Sequence, residues 1–129
     1  MYEPTGCAER CRDHDGYCDN CDLLVGLDGL HVVGVDRDAV GRLTVTVESA
    51  PTVMGCPVCG VVASSHGRRT VRLVDAPCFG QPVELLWRKR TWECVEPSCP
   101  TGTFTEQDEA IAKPRAMLSA RACRWAVQQ

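Results

Sequence analysis

The chain has 129 residues, a formal net charge of −3 and 44% hydrophobic residues, values that are ordinary for one small domain with appendages. No apolar run approaches the roughly 18 residues that a membrane span needs, and no positively charged and then apolar segment of the secretory type follows Met1. The composition therefore excludes a membrane partner and predicts a cytoplasmic protein whose 10 cysteines are metal ligands or free thiols rather than disulfides.

The charge is distributed unevenly along the chain. Residues 1–28 carry 2 positive and 7 negative groups, whereas residues 56–92 carry 6 positive and 2 negative groups. A basic segment inside an acidic chain favours a polyanionic partner, although such a run is also typical of a solvated face.

The acidic leader, residues 1–28, is rich in cysteine and has almost no apolar periodicity over its first 22 residues. Four cysteines stand there as a CxxxC pair and a CxxC pair: Cys7, Cys11, Cys18 and Cys21. This spacing predicts a very small zinc site of its own. His14 could replace one ligand, but it also fits a solvated loop. A leader with free thiols is the alternative, and the spacing leaves both open.

Residues 30–48 predict a β-hairpin. In its second arm Leu43, Val45 and Val47 alternate with polar residues, as a half-buried antiparallel strand requires. His31 in the first arm has no cysteine beside it, so we interpret it as a packing residue.

Two short cysteine pairs follow, and they organise the chain. Cys56 and Cys59 are separated by two residues, Cys94 and Cys99 by four, and 34 residues lie between the pairs. Two such knuckles flanking strand-like segments predict a zinc ribbon, in which four thiolates fill one tetrahedral Zn²⁺ and leave no open position for chemistry. A redox CxxC would need a βαβ context that is missing. Iron, as in rubredoxin, stays an alternative, although the CxxxxC spacing departs from that fold.

Between the knuckles we predict strands over residues 61–65, 68–74 and 83–92, with a turn over 64–67 and a loop over 75–82. Trp87, Trp92 and the later Phe104 are interpreted as packing groups rather than platforms on which bases stack. Cys78 and Cys123 have no partner at ligand spacing and are interpreted as small packing residues.

Near the end of the sequence the spacing of apolar residues changes from that of a strand to that of a helix. Pro114 can occupy the first turn of a helix that runs to Val127, with Leu118, Ala122 and Trp125 on one face. The fold class predicted is thus a small β-rich zinc ribbon (α+β), with a preceding β-hairpin and a C-terminal helix. The domains predicted are the leader at 1–28, the hairpin plus ribbon at 29–110, and a linker with the first helix at 111–129.

An ordered series of motifs over about residues 24–129 resembles the N-terminal part of ISL-three family transposases, which are DDE-type enzymes of bacterial insertion sequences. The series is Cys56-Pro57-Val58-Cys59-Gly60, Ser65-His66-Gly67-Arg68-Arg69, Val71-Arg72-Leu73-Val74-Asp75-Ala76-Pro77, Gly80-Gln81-Pro82-Val83, Leu86-Trp87-Arg88-Lys89-Arg90-Thr91-Trp92-Glu93-Cys94, Cys99-Pro100, Thr103-Phe104-Thr105-Glu106 and the Arg-rich stretch 118–124.

The resemblance implies a structural Zn²⁺ in a finger that precedes a helix-turn-helix, and it implies that the C-terminal helix begins this helix-turn-helix. Both parts would recognise the DNA ends of the element during transposition. The catalytic DDE core of such an enzyme would follow, so we expect no catalysis from this chain, and we expect it to be a truncated form. An intact transposase is then a further expected partner.

Cations of the ribbon and of the last helix are the predicted DNA contacts, because Lys and Arg gain affinity by releasing the counterions of the duplex. They are Arg68, Arg69, Arg72, Arg88, Lys89, Arg90, Arg121 and Arg124. The alternative function is a zinc ribbon that binds protein and has no role on DNA.

Overall fold

The computed structural model describes residues 16–129, and one mixed five-stranded sheet is its central element. The elements are α1 (Asp19–Val25), β1 (His31–Arg37), β2 (Leu43–Glu48), β3 (Ser64–Cys78), β4 (Gln81–Glu93), β5 (Thr103–Thr105) and α2 (Ala120–Gln128). The strand order is β1-β2-β4-β3, and β5 pairs with β4 beyond the end of β2.

The predicted hairpin of residues 30–48 is confirmed as the antiparallel pair β1 and β2. Val45 and Val47 are buried, as the alternation indicates. The pairing of β2 with β4 is parallel, and Val47 stands opposite Trp87. The hairpin therefore shares a sheet with the segment between the cysteine pairs, and the long connection between the parallel strands contains the first knuckle.

The region from residue 61 to residue 82 differs from the prediction. β3 runs without interruption from Ser64 to Cys78, and the expected turn at residues 64–67 is an irregularity in the register between Ser65 and Arg68. The expected loop at 75–82 is a two-residue hairpin turn in which Phe79 and Gly80 have φ of 50° and 73°. Two positive φ values define the tight hairpin turn whose twist matches the strands. The prolines at 77 and 82 suggested a loop, but they lie at the hairpin's end, where few ladder bonds are lost.

The main core lies on one face of the sheet. Val83, Leu85 and Trp87 project from β4 into it. Leu73 joins them from β3, and Ile111 comes from the segment after β5. Trp92 is buried at the far end of β4 and stacks on Phe104 with ring centroids 5.6 Å apart. The interpretation of these aromatic residues as packing groups is thus confirmed.

The segment between β5 and α2 is not helical, so the predicted helix start at Pro114 is wrong. Ser119 is the N-cap, and its hydroxyl accepts from the backbone N–H of Ala122. Met117 and Ser119 bond to the backbone of Val74 on the free edge of β3. The chain must stay extended there to satisfy β3, and the helix begins only after that contact.

α1 was not predicted, and it lies beside the hairpin. Asp22 in α1 bonds to His31 at 2.7 Å and accepts from the backbone N–H of Val32. Tyr17 stacks on the His31 ring at a centroid distance of 4.0 Å. His31 is therefore a partnered packing residue, as its position in the sequence indicates.

The β-rich fold with a ribbon-like cysteine region and a C-terminal helix is confirmed, whereas the domain limits and the helix-turn-helix remain predictions. No helix within residues 16–129 is both long and apolar enough to cross a membrane.

Candidate metal centre and its basic surroundings

The two cysteine knuckles meet at one point. The Sγ atoms of Cys56, Cys59, Cys94 and Cys99 all lie within 4.8 Å of one another. Cys56 and Cys99 are separated by 3.8 Å, and Cys59 and Cys94 by 3.6 Å. Four sulfurs at the Zn–S distance of about 2.3 Å in a tetrahedron stand about 3.8 Å apart. The donor set and its spacing therefore fit a four-thiolate Zn²⁺ site.

The first knuckle is shaped by its own backbone. The N–H of Gly60 donates to the carbonyl of Cys56 at 2.9 Å, and the N–H of Cys56 donates to the carbonyl of Val61 at 2.8 Å. Gly60 has a φ of 76°, which a residue with a Cβ adopts only under strain. The turn aims both sulfurs of the pair toward the second knuckle.

The second knuckle is closed by Glu96 and Gly102. The N–H of Cys99 donates to the carbonyl of Glu96 at 3.0 Å, and the N–H of Cys94 donates to the carbonyl of Gly102 at 2.8 Å. The Thr101 hydroxyl lies 3.1 Å from the sulfur of Cys99 and 3.4 Å from that of Cys56. Thr101 was not identified from the sequence, because its position two residues after a cysteine carries no distinctive signal.

The four thiols do not ionise alike in the absence of metal. The hydrogen bond from Thr101 is the main reason why the pKa of Cys56 falls to about 6. The backbone N–H of Glu96 favours the thiolate of Cys94, but burial and the other three sulfurs outweigh it and raise its pKa to about 12. Like charges at this distance oppose one another, and a divalent cation removes that conflict by binding all four as thiolates.

The leader cysteines are only partly covered by the structure. Cys7 and Cys11, like His14, fall outside the described residues. Cys18 is buried at the start of α1, and Cys21 packs against the main core. The predicted second zinc site therefore stays a prediction. Cys78 and Cys123 are exposed, so their interpretation as packing residues is wrong.

Arg90 joins the metal region to the sheet. Its side chain is 7% exposed, it donates to the carbonyl of Thr52 at 2.7 Å, and its guanidinium lies 5.0 Å from the Trp92 ring. The carboxylate of Glu106 accepts from the backbone N–H of Arg90 at 2.8 Å and from the hydroxyl of Ser49 at 3.0 Å. Both contacts hold the segments that enter and leave the knuckles against β4.

Two further basic side chains predicted for DNA have partners within the fold. Lys89 is 6% exposed, donates to Gln107 at 2.9 Å and lies 4.4 Å from the Trp87 ring centroid. Burial lowers its pKa. Arg121 forms two hydrogen bonds with the buried carboxylate of Asp75, at 2.9 and 2.6 Å.

Three of the predicted arginines are exposed or half-buried but paired with carboxylates. Arg88 and Arg68 lie 2.6 and 3.7 Å from Glu48, and Arg72 lies 2.5 Å from Glu84. Arg69 and Arg124, by contrast, are exposed and form no ion pair within residues 16–129. The basic stretch predicted from composition is thus largely neutralised by the fold itself.

Residues 52–100 match the family model described as the zinc-finger of transposase IS204/IS1001/IS1096/IS1165. No curated protein and no solved structure gave a match. The matched range contains all four clustered cysteines, and no catalytic domain is identified in the chain. Residues 52–100 are therefore similar to the zinc-finger of these transposases, and their four cysteines fit a structural Zn²⁺.

Proposed function

We propose that this chain recognises the DNA ends of an insertion sequence through its zinc-ribbon region, with Cys56, Cys59, Cys94 and Cys99 as the four zinc ligands. The observation that carries the proposal is the four-cysteine cluster inside the range that matches a transposase zinc finger. Cleavage and strand transfer are assigned to no residue of this chain.

A closed thiolate site sets the role of the metal. Four cysteines fill the tetrahedron, so the ion would supply folding energy and would bind no substrate. Function must then reside in the surface that the metal orders. The ribbon lies at the end of a β-sheet whose exposed cations can meet phosphate groups.

Phosphate contacts and base contacts would have different roles in DNA binding. Arginine and lysine on the surface would supply salt-dependent affinity, whereas reading a sequence needs side chains placed in a groove. Lys89, Arg90 and Arg121 are committed to internal partners, so we leave them out of the proposed DNA surface.

Fluorescence anisotropy with a labelled 30-base-pair duplex tests the proposal. Between 50 and 200 mM KCl we expect the logarithm of the affinity to fall linearly with the logarithm of the salt concentration. Selection from a random duplex library then tests sequence recognition, and we expect an enriched motif. Affinity that does not change with salt, or that is absent, would contradict a role on DNA.

One observation favours the second candidate, a protein-binding module. An apolar cavity of about 410 Å³ opens on the sheet face between α1 and the β3–β4 turn. Phe79 stands at its rim with 90% of its surface exposed, and Leu24 from α1 is also exposed. Exposed apolar residues around a cavity are typical of an interaction surface.

The affinity of the wild type for duplex separates the two candidates, and Phe79→Ser is its matched control. If DNA binding is the function, the substitution leaves the affinity for duplex unchanged, because the side chain carries no charge. If the chain binds only protein, the wild type shows no salt-dependent affinity for DNA at all.

A further inference from the structure

The cations of the described chain fall into two classes. Those with internal partners are Arg42, Arg68, Arg72, Arg88, Lys89, Arg90 and Arg121. A cation that already faces a carboxylate gains less from a phosphate, since the new contact must replace the old one. The cations without an ion pair within residues 16–129 are Arg37, Arg69, Lys113, Arg115 and Arg124, and these are the ones free to meet DNA.

Three of the unpaired cations belong to the edge strand β3 or to the segment whose end bonds to its free edge. Arg69 is on β3, opposite Lys89. Lys113 and Arg115 are exposed and belong to the segment of residues 107–119, which is fixed at two points: Gln107 accepts from Lys89, and Met117 accepts from the N–H of Val74. Measured along the strand direction, these two points lie at the levels of Arg69 and Val74, which are about 16 Å apart.

The turn that carries two of these cations is strained. The N–H of Ala116 donates to the carbonyl of Lys113 at 3.1 Å, Pro114 occupies the second position, and Arg115 occupies the third with a φ of 63°. Proline followed by a positive φ defines a type II turn, whose third position favours glycine. Strain of this kind clusters at functional sites, and here the strained residue carries a charge at the tip of the turn.

We propose that Arg69, Lys113 and Arg115, hereafter the β3-edge strip, bind the phosphate backbone of the DNA duplex. The inference rests on the proposed function and goes further by moving the contact away from Arg72 and Arg88. Asp108 and Glu109 are the carboxylates of the same segment. The carboxylate of Asp108 accepts a hydrogen bond from the N–H of Ala110. Neither Asp108 nor Glu109 forms an ion pair with a residue of the strip.

Two triple variants with the same change in net charge test the strip. The test variant is Arg69→Ala, Lys113→Ala and Arg115→Ala, and the control is Arg42→Ala, Arg72→Ala and Arg88→Ala. In the test variant we expect the slope of log affinity against log salt to fall by about 3 and the affinity at 0.1 M salt to drop about 100-fold. In the control we expect less than a tenfold loss.

The outcomes separate the strip from the function on which it depends. If the wild type binds no duplex, the proposed function fails. If the wild type binds and the control variant loses as much as the test variant, the strip is wrong and the function stands. Arg115→Gly adds a readout that misfolding cannot imitate, because relief of the strained turn raises the melting temperature while affinity for DNA falls. An unchanged affinity in Arg115→Gly and in the test variant would overturn the proposal.

Discussion

Arg68 and Arg90 stand opposite each other on β3 and β4, and both donate to the same linker. Arg68 reaches the carbonyl of Ser49 and Arg90 the carbonyl of Thr52, each at 2.7 Å. This linker leads from β2 to the first cysteine knuckle. Two arginines that the sequence suggested for DNA therefore brace the metal region against the sheet.

Replacing Arg90 with alanine should lower the free energy of unfolding by about 2 kcal/mol. A buried hydrogen bond from a charged group contributes on the order of 1.5–3 kcal/mol, and the substitution leaves the Thr52 carbonyl without its donor. Arg88→Ala is the matched control. Its side chain is 44% exposed in a surface ion pair, and such pairs contribute about 0.5 kcal/mol. Urea unfolding of the zinc-loaded proteins measures both, and equal losses would contradict the bracing role.

Asp75 gives the fold a dependence on pH. Burial raises the pKa of this carboxyl, but its hydrogen bonds with Arg121 and Ser119 outweigh burial, so the pKa lies below the ordinary 3.8. A carboxyl with a lowered pKa stabilises the fold above its unfolded pKa, and that stability is lost as pH falls through the folded value.

The pH effect is measured as a difference between wild type and Asp75→Asn. At pH 7 we expect the variant to be less stable by about 2 kcal/mol, because the carboxylate that pairs with the Arg121 cation is replaced by an uncharged amide. The difference should shrink below about pH 4. Both proteins have the same cysteines, so protonation of the thiolates in acid lowers the stability of both alike and cancels in the difference. A difference that stays constant down to pH 3 would contradict the assignment.

Arg115→Gly should stabilise the fold by about 1 kcal/mol. The left-handed conformation costs a residue with a Cβ about 1–2 kcal/mol, and glycine's greater freedom in the unfolded chain offsets part of the gain. Arg124→Gly removes the same charge from an exposed position of α2 and should cost about 1 kcal/mol. Thermal unfolding followed by circular dichroism measures the change in stability of each variant, and we expect the two changes to have opposite signs. A loss of stability in both variants would show that the turn is unstrained.

Removal of the metal should expose Trp92 to water more than it exposes Trp87. Trp92 stacks on Phe104 beside the second knuckle, whereas Trp87 lies in the main core. In a variant with Trp87→Phe and Trp125→Phe, a chelator should shift the emission of Trp92 to longer wavelength as water enters. The companion variant with Trp92→Phe and Trp125→Phe should show a smaller shift. If the emission wavelength of Trp92 does not change when the chelator is added, the claim that the metal orders this region is contradicted.

The cysteine cluster was predictable because its information is local. A knuckle needs only a pair of cysteines with a turn between them, and the hairpin of residues 30–48 needs only alternation over adjacent residues. The roles of the arginines were not predictable in this way. Arg90 bonds to Thr52, which is 38 residues away, and Arg121 bonds to Asp75, which is 46 residues away. A cation's partner at that distance is decided by the topology of the sheet.

The predicted helix start at Pro114 was wrong for a related reason. Pro114 is a good first residue for a helix, but the free edge of β3 needs partners, and Met117 and Ser119 supply them. Local propensity favoured a helix from Pro114, whereas the edge strand required extended chain. The tertiary contact won, and the helix starts after Ser119, whose hydroxyl caps it.

The central claim is a structural zinc ion held by Cys56, Cys59, Cys94 and Cys99, and the zinc content per chain tests it most directly. Elemental analysis would compare the wild-type protein, purified without added metal, with Cys94→Ser. The account predicts that the wild type holds at least one zinc per chain and that Cys94→Ser holds one fewer, whatever the leader binds. Equal zinc content in the two proteins, or iron in place of zinc, would contradict it.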